Sequence, residues 1–185
     1  MTKGCYGYLH RQKKKEIIRT VLYFGLSAAI FAMGYLTTKT RANLLTIVAV
    51  LGCLPASKSM VSMIMYLRAG TCSESCRQAV RKAAGDVPVL YDLYLTSYRN
   101  NFQISAAVVR NQSVCGYTED KNCDLSAGEK HITKLLQQSG YGGLTVKLFD
   151  DLSKFTDRLM QMRDIPEKTA EKEAAVAEVL KDISL

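Results

Sequence analysis

The chain has 185 residues, 48% of them hydrophobic, and a formal net charge of +8. That length allows one domain of ordinary size plus an appendage. Residues 1–67 hold nine basic side chains against one acid, Glu16, so residues 68–185 balance to zero; the downstream part lacks the net basic footprint of a nucleic-acid-binding domain, though a local patch stays compatible with this balance.

Taken in chain order, residues 1–15 are short, polar and basic and read as disordered. Every residue between Arg19 and Lys39 is uncharged, which is long enough to cross a hydrocarbon core of about 30 Å as a helix. Tyr23 and Tyr35 stand near the two ends, where amphipathic rings favour the interface. A secretory signal peptide is the rival reading. The absence of an obvious small-residue cleavage site, and the second apolar stretch that follows at once, weigh against it. That second stretch runs from Asn43 to Leu67, interrupted by Pro55 and Lys58. A lysine at mid-membrane costs about 2.5–3.5 kcal/mol on insertion scales, so Lys58 marks either a polar pathway or, as the preferred reading, a side chain that snorkels beside a proline kink. Met60, Met63 and Met65 read as packing or lipid-facing residues. The basic N-terminal flank, and Arg68, Arg77, Arg81 and Lys82 after the second stretch, predict that both termini are cytoplasmic.

The organisation expected is therefore a basic cytoplasmic N-terminus over 1–18, two transmembrane helices over about 19–38 and 43–67, a cytoplasmic domain over 68–165 and a C-terminal amphipathic helix over 166–185. In a cytoplasmic domain Cys72, Cys76, Cys115 and Cys123 are reduced thiols. Cys72 and Cys76, four apart, fall on one helical face. Cys115 and Cys123 are too widely spaced for the tight pair of a zinc knuckle, so buried thiols are expected rather than a four-cysteine zinc site.

Ser73 to Ala84 reads as a helix with Glu74 in its first turn and Gly85 as its stop. Three antiparallel strands follow. The first, from Val87, alternates Val89, Tyr91, Leu93 and Leu95 on one face with Leu90, Asp92, Tyr94 and Thr96 on the other. Arg99-Asn100-Asn101 suits a hairpin turn, and Phe102 to Val109 is apolar enough to be covered on both faces. Asn111-Gln112-Ser113 turns the chain into a third strand, Val114 to Thr118, ending on Glu119-Asp120-Lys121. Ser126 and Glu129 form a capping-box pattern that opens a helix with Ile132, Leu135 and Leu136 inward and His131 toward solvent. Leu144 to Phe149 is a fourth strand. Asp150 or Asp151 caps the next helix, and a last one runs on after Pro166 with Val176, Val179, Leu180 and Ile183 on one face. The fold class is α+β: a transmembrane helical hairpin, then an αβββαβ domain with C-terminal helices.

That order of elements is the core order of the restriction-endonuclease-like PD-(D/E)XK superfamily, and from Ala69 to Phe149 the chain resembles its nuclease-related domain (NERD). Glu74 matches a glutamate early in the family's first helix, and Leu90-Tyr-Asp-Leu-Tyr-Leu95 matches its first strand. Ile104-Ser-Ala-Ala-Val-Val109 stands where the family has Ile-Asp-His-x-Val-Val, and Glu119-Asp-Lys-Asn122 matches Glu-x-Lys-Asn. The resemblance implies that Glu119 holds a divalent cation, Mg²⁺ or Mn²⁺, with Lys121 positioning the nucleophile and Glu74 and Asp92 as further candidate ligands. The metal-binding aspartate of the family is Ser105 here and the histidine beside it is Ala106. Asp92, Asp120 or Asp124 are the acids that could replace it, and nothing in the spacing selects one. The expectation is a catalytically degenerate domain with no cofactor, acting as a binding or scaffold module for an unknown protein partner at the bilayer. Two alternatives stand beside it. One is an active metal-dependent nuclease with a displaced acid, acting on nucleic acid. The other is a protein whose work lies in self-association of its spans through Gly25, Ser27, Ala28, Ala29, Ala32 and Gly34.

Overall fold

The computed structural model describes residues 3–39, 44–97, 100–165 and 170–185. Its elements are α1 (Tyr8–Thr38), α2 (Leu44–Arg68), α3 (Glu74–Ala84), β1 (Val89–Thr96), β2 (Asn101–Arg110), β3 (Ser113–Tyr117), α4 (Leu125–Gln138), β4 (Thr145–Phe149), α5 (Leu152–Arg163) and α6 (Ala170–Ile183). They form two compact units, His10–Arg68 and a second made of Met1–Leu9 with Ala69–Leu185.

In the first unit α1 and α2 are each long and apolar enough to cross a membrane. At 1.5 Å per residue their 31 and 25 residues extend about 46 and 37 Å. Among the described residues, every exposed large hydrophobic side chain except Met160 lies on these two helices; exposed apolar surface gathered in one place marks a membrane or protein interaction site. Thr20, Ser27 and Gly34, seven apart, are buried on α1, as are Ala49, Ala56, Ser59 and Tyr66 on α2. Thr20 Oγ1 and Ser59 Oγ are 3.0 Å apart, and a Cβ on Gly52 would stand 2.8 Å from Ser27 Oγ. The pairs 20–59 and 27–52 fix an antiparallel hairpin in which small residues bring the backbones close. Ser27 and Gly34 are thus used within the chain, whereas Gly25, Ala28, Ala29 and Ala32 are exposed. Lys58 is exposed and Pro55 lies inside an unbroken α2.

The second unit is a four-stranded sheet in the order β1-β2-β3-β4, antiparallel except for the parallel β3–β4 pair. α3 and α5 cover one face, with Cys76, Val80, Phe155, Leu159 and Met162 in a core shared with Ala106 and Val108. α4 and α6 cover the other, where Ile132, Leu136, Val176 and Leu180 pack on Leu93, Leu95, Phe102 and Ile104. β2 is covered on both faces, as its apolar run requires. Gly128 lets α4 sit close to the sheet, since a Cβ there would meet Leu148 Cδ1 at 2.8 Å.

Several details depart from the sequence expectation. The N-terminal residues are ordered against β1: Tyr91 N–H donates to Gly4 O at 2.8 Å, and the Tyr6 ring meets Tyr91 edge-on. α1 begins at Tyr8, not near Arg19, because the basic run Arg11–Lys15 continues the same helix. The last helix belongs to the core: Val176 and Leu180 are buried under it, and Leu185 N–H donates to Tyr94 O at 3.0 Å. Both chain ends therefore pair along the free edge of β1, and Lys3 Nζ donates to Ser184 O at 2.6 Å. α4 is capped by Asp124, whose carboxylate accepts from Ala127 N–H, rather than by Ser126. Glu129 instead accepts from Leu148 N–H at 3.0 Å and pairs with Lys147, covering the outer edge of β4. His131 is half-buried against Phe102, with ring centroids 5.4 Å apart, and does not face solvent. Of the predicted turn Arg99-Asn100-Asn101, Arg99 lies outside the described residues, as do Asn43 and Pro166.

One ion pair ties α6 to β2. Glu173 accepts from Asn111 N–H at 2.8 Å and from Arg110 Nη1 at 3.4 Å, with both side chains about nine-tenths buried. Asn111 has a φ of 43°, so this carboxylate also holds a left-handed turn residue in place. Replacing Glu173 by Ala takes the carboxylate away from a buried guanidinium that keeps its bond to Ile165 O, and we expect a loss of about 3–5 kcal/mol in chemical denaturation of the solubilised chain. For the hairpin, the double variant Thr20→Cys, Ser59→Cys is expected to close an intramolecular disulfide on mild oxidation. Gly52→Leu added to it should suppress that product on gels.

Candidate functional site

The residues that the sequence marks for chemistry meet in part where α3 begins. Ser73 is the N-cap of α3: its hydroxyl accepts from Cys76 N–H at 3.1 Å, which satisfies one of the orphan amides of the first turn. The same residue holds Glu119, which lies two residues beyond β3. Ser73 N–H donates to Glu119 Oε2 at 2.9 Å, and Ser73 Oγ donates to Glu119 Oε1 at 2.6 Å. Glu119 N–H donates in turn to Ser105 Oγ at 3.3 Å.

Asp92 sits in the middle of β1, buried and with a φ of 55°. A left-handed residue inside a strand reverses the pleat. Val89 and Tyr91 accordingly join the α3–α5 core, whereas Leu90, Leu93 and Leu95 join the α4–α6 core. The simple alternation read from the sequence holds only on either side of Asp92. The facing strand changes phase at the same level: Tyr91 pairs with Ala106 and Leu93 with Ile104, leaving Asp92 and Ser105 as the residues between. The carboxylate of Asp92 accepts from Cys72 N–H at 2.7 Å and from Gly7 N–H at 2.8 Å. Two consecutive amides, those of Cys72 and Ser73, thus donate to two different acids.

The structure therefore brings together Glu119, Asp92 and Ser105 and leaves the other candidates outside. Glu74 is exposed on the first turn of α3, bonded to Arg77 at 3.1 Å and Gln78 at 3.2 Å. Its carboxyl is held below the usual range by the Gln78 hydrogen bond, then by one from Tyr6, with Arg77 assisting. Lys121 is exposed in the turn after Glu119. Asp120 closes its own turn by accepting from Asn122 N–H at 2.9 Å, and Asp124 caps α4, so of the three possible replacement acids only Asp92 adjoins the site. Lys58 belongs to the other unit.

The sequence reading left out Cys72 and Cys76 as members of this site. Cys72 is not on the α3 helix but just ahead of its cap, and both thiols are buried. Cys72 Sγ, Cys76 Sγ and a Glu119 carboxylate oxygen all lie within 4.8 Å of one another. The Cys72 thiol is pushed far above its ordinary value, first by its hydrogen bond with Cys76, then by burial, with Glu119 and Asp92 adding to it. Burial also raises the phenols of Tyr91 and Tyr117, which line the same core. The signal available in the sequence was the four-residue spacing of Cys72 and Cys76, whereas the approach of Glu119 to them is long-range.

No family model matches the chain, and neither a curated protein nor a solved structure does.

Asp92 is the residue on which this arrangement turns. Asp92→Ala removes two charge-assisted hydrogen bonds at about 1.5–3 kcal/mol each and keeps a Cβ in a left-handed position. We expect rapid hydrogen exchange at the Gly7 and Cys72 amides in that variant. Asp92→Asn, which tolerates the same backbone and keeps one acceptor oxygen, should retain part of the protection.

Proposed function

We propose that this chain is a two-span membrane protein whose α+β domain keeps a nuclease-related fold without its hydrolytic machinery and serves as a binding or scaffold module. The observation that carries the reading is the engagement of Glu119. Both of its oxygens accept hydrogen bonds from Ser73, its partner position is the uncharged Ser105, and Lys121 stands outside. A hard divalent cation needs several oxygen ligands, and Mg²⁺ in particular gives up its water reluctantly. One carboxylate, with a single lone pair left on each oxygen beside the Ser73 bonds, falls short of that number of oxygens. The element order αβββαβ and the four-stranded sheet agree with the resemblance, and the zero net charge of residues 68–185 speaks against a general nucleic-acid grip.

The membrane reading is supported by the exposed apolar surface of α1 and α2. The topology is supported by connectivity: Met1–Leu9 and Ala69–Leu185 belong to one compact unit, so a chain that crosses on α1 must return on α2 to the side it left. The basic flank makes that side the cytoplasm.

The test uses the full chain in nanodiscs. Mg²⁺ titrated by calorimetry should give no binding heat beyond that of Glu119→Ala, and single- and double-stranded DNA and RNA should stay intact with Mg²⁺ or Mn²⁺. Saturable Mg²⁺ binding together with cleavage, both lost in Glu119→Ala and in Asp92→Asn, would establish an active nuclease with Asp92 as the displaced acid.

A further inference from the structure

Three side chains able to ligate a metal, two thiols and a carboxylate, converge at the start of α3, and the preceding reading does not use them as ligands. Cys72 precedes the N-cap, Cys76 is the third residue of the helix, and Glu119 reaches them from the end of β3. A tetrahedral Zn²⁺ with bonds of about 2.3 Å to sulfur and about 2.0–2.2 Å to oxygen has ligand-to-ligand edges of roughly 3.4–3.8 Å. A set confined within 4.8 Å reaches those edges by small side-chain rotations. Each Glu119 oxygen accepts one bond from Ser73 and keeps a second lone pair. Those two bonds also fix the carboxylate plane, as partners of metal-bound carboxylates do.

We propose that Cys72 Sγ, Cys76 Sγ and a Glu119 carboxylate oxygen form a Zn²⁺ site with a fourth position left for water or an incoming ligand. Two thiolates and a carboxylate suit a borderline-soft ion such as Zn²⁺ and not Mg²⁺ or Ca²⁺. Binding releases the two thiol protons to solvent, and the ion supplies the positive charge that makes both thiolates stable in a buried place. Among the described residues no basic side chain pairs with Glu119, and the nearby Arg77 is engaged by Glu74 and lies over the Tyr6 ring at 4.7 Å. The N-terminus of α3 favours negative charge at Cys76 as well. This assignment does not rest on the nuclease-related reading. It holds whether or not the domain ever cleaved a phosphodiester.

The experiment takes the full chain in detergent, stripped of metal and kept reduced by a non-chelating phosphine, and titrates it with Co²⁺. One equivalent should bring up a thiolate-to-cobalt charge-transfer band with the intensity of two thiolates, together with the ligand-field bands of a four-coordinate ion. Equimolar Zn²⁺ should erase both, and excess Mg²⁺ neither. Cys72→Ser and Cys76→Ser should each remove the spectrum, Glu119→Gln should weaken binding by about tenfold or more, and Cys123→Ser should leave it unchanged. X-ray absorption at the zinc edge of the unaltered chain needs no variant and should read two sulfurs with oxygen neighbours. A folded chain that gives no charge-transfer band overturns the proposal. So does a band that survives intact in Cys72→Ser, or a zinc shell of four sulfurs or of none.

Discussion

The carboxylate of Asp92 is the constraint on which the domain depends. It accepts from the backbone of Gly7, ahead of the first long helix, and from Cys72, after the second. Three stretches of chain separated by up to 85 positions are thereby held at one point inside the sheet. Amides buried without partners cost about 1–3 kcal/mol each, and a buried charge without donors costs more, so each half of this junction requires the other. The strand accommodates it by placing Asp92 in a left-handed conformation, a strain of order 1–3 kcal/mol that two charge-assisted bonds offset. The reversal of pleat that follows decides which side chains of β1 face which core. The same residue thus sets both the packing of the sheet and the position of α3, whose cap then holds Glu119.

Glu173 does comparable work at the C-terminal end of β2. It holds Asn111 and Arg110 where β2 turns into β3, and it draws α6 onto the sheet. In both places a buried acid accepting from the backbone fixes a left-handed residue: Asp92 is that residue itself, and Glu173 accepts from Asn111. Acids of this kind leave no mark in a hydrophobic pattern, yet they fix where the apolar segments can go.

The sequence made the elements legible because their signals are local. Uncharged runs, β-branched stretches and the cap at Ser73 each act within a turn or two, and they locate two long helices, four strands and the core faces of α4 and α6. Ser73 and Asp151 stand at the helix starts that such signals predict. What the sequence could not show is long-range. The pairing of Gly4 with Tyr91, the use of Glu129 against β4 rather than in a capping box, and the packing of His131 on Phe102 join residues far apart in the chain. The phase change at Asp92 was invisible for another reason: alternation is counted from residue type, and a single positive φ resets the count. The candidate site suffered from both. Glu119 was found by its motif, but Cys72 and Cys76 were read as one helical face, although the first lies outside the helix altogether.

The pairing of both chain ends with β1 also fixes an order of events during synthesis. Residues 3–7 are made before either long helix, yet the strand they meet follows some eighty positions later. They must stay uncommitted while two apolar helices find their place. Leu185, the residue that donates to Tyr94, is made later still. At about 5–20 residues per second, the stretch from β1 to Leu185 takes roughly five to twenty seconds to appear. For that interval β1 has an open edge, the kind of surface on which nascent chains pair with the wrong neighbour. Arrival of Ser184 and Leu185 is thus the step that covers the Tyr94–Leu95 end of this edge, so a polypeptide truncated ahead of Ser184 leaves that part of β1 exposed for its whole lifetime.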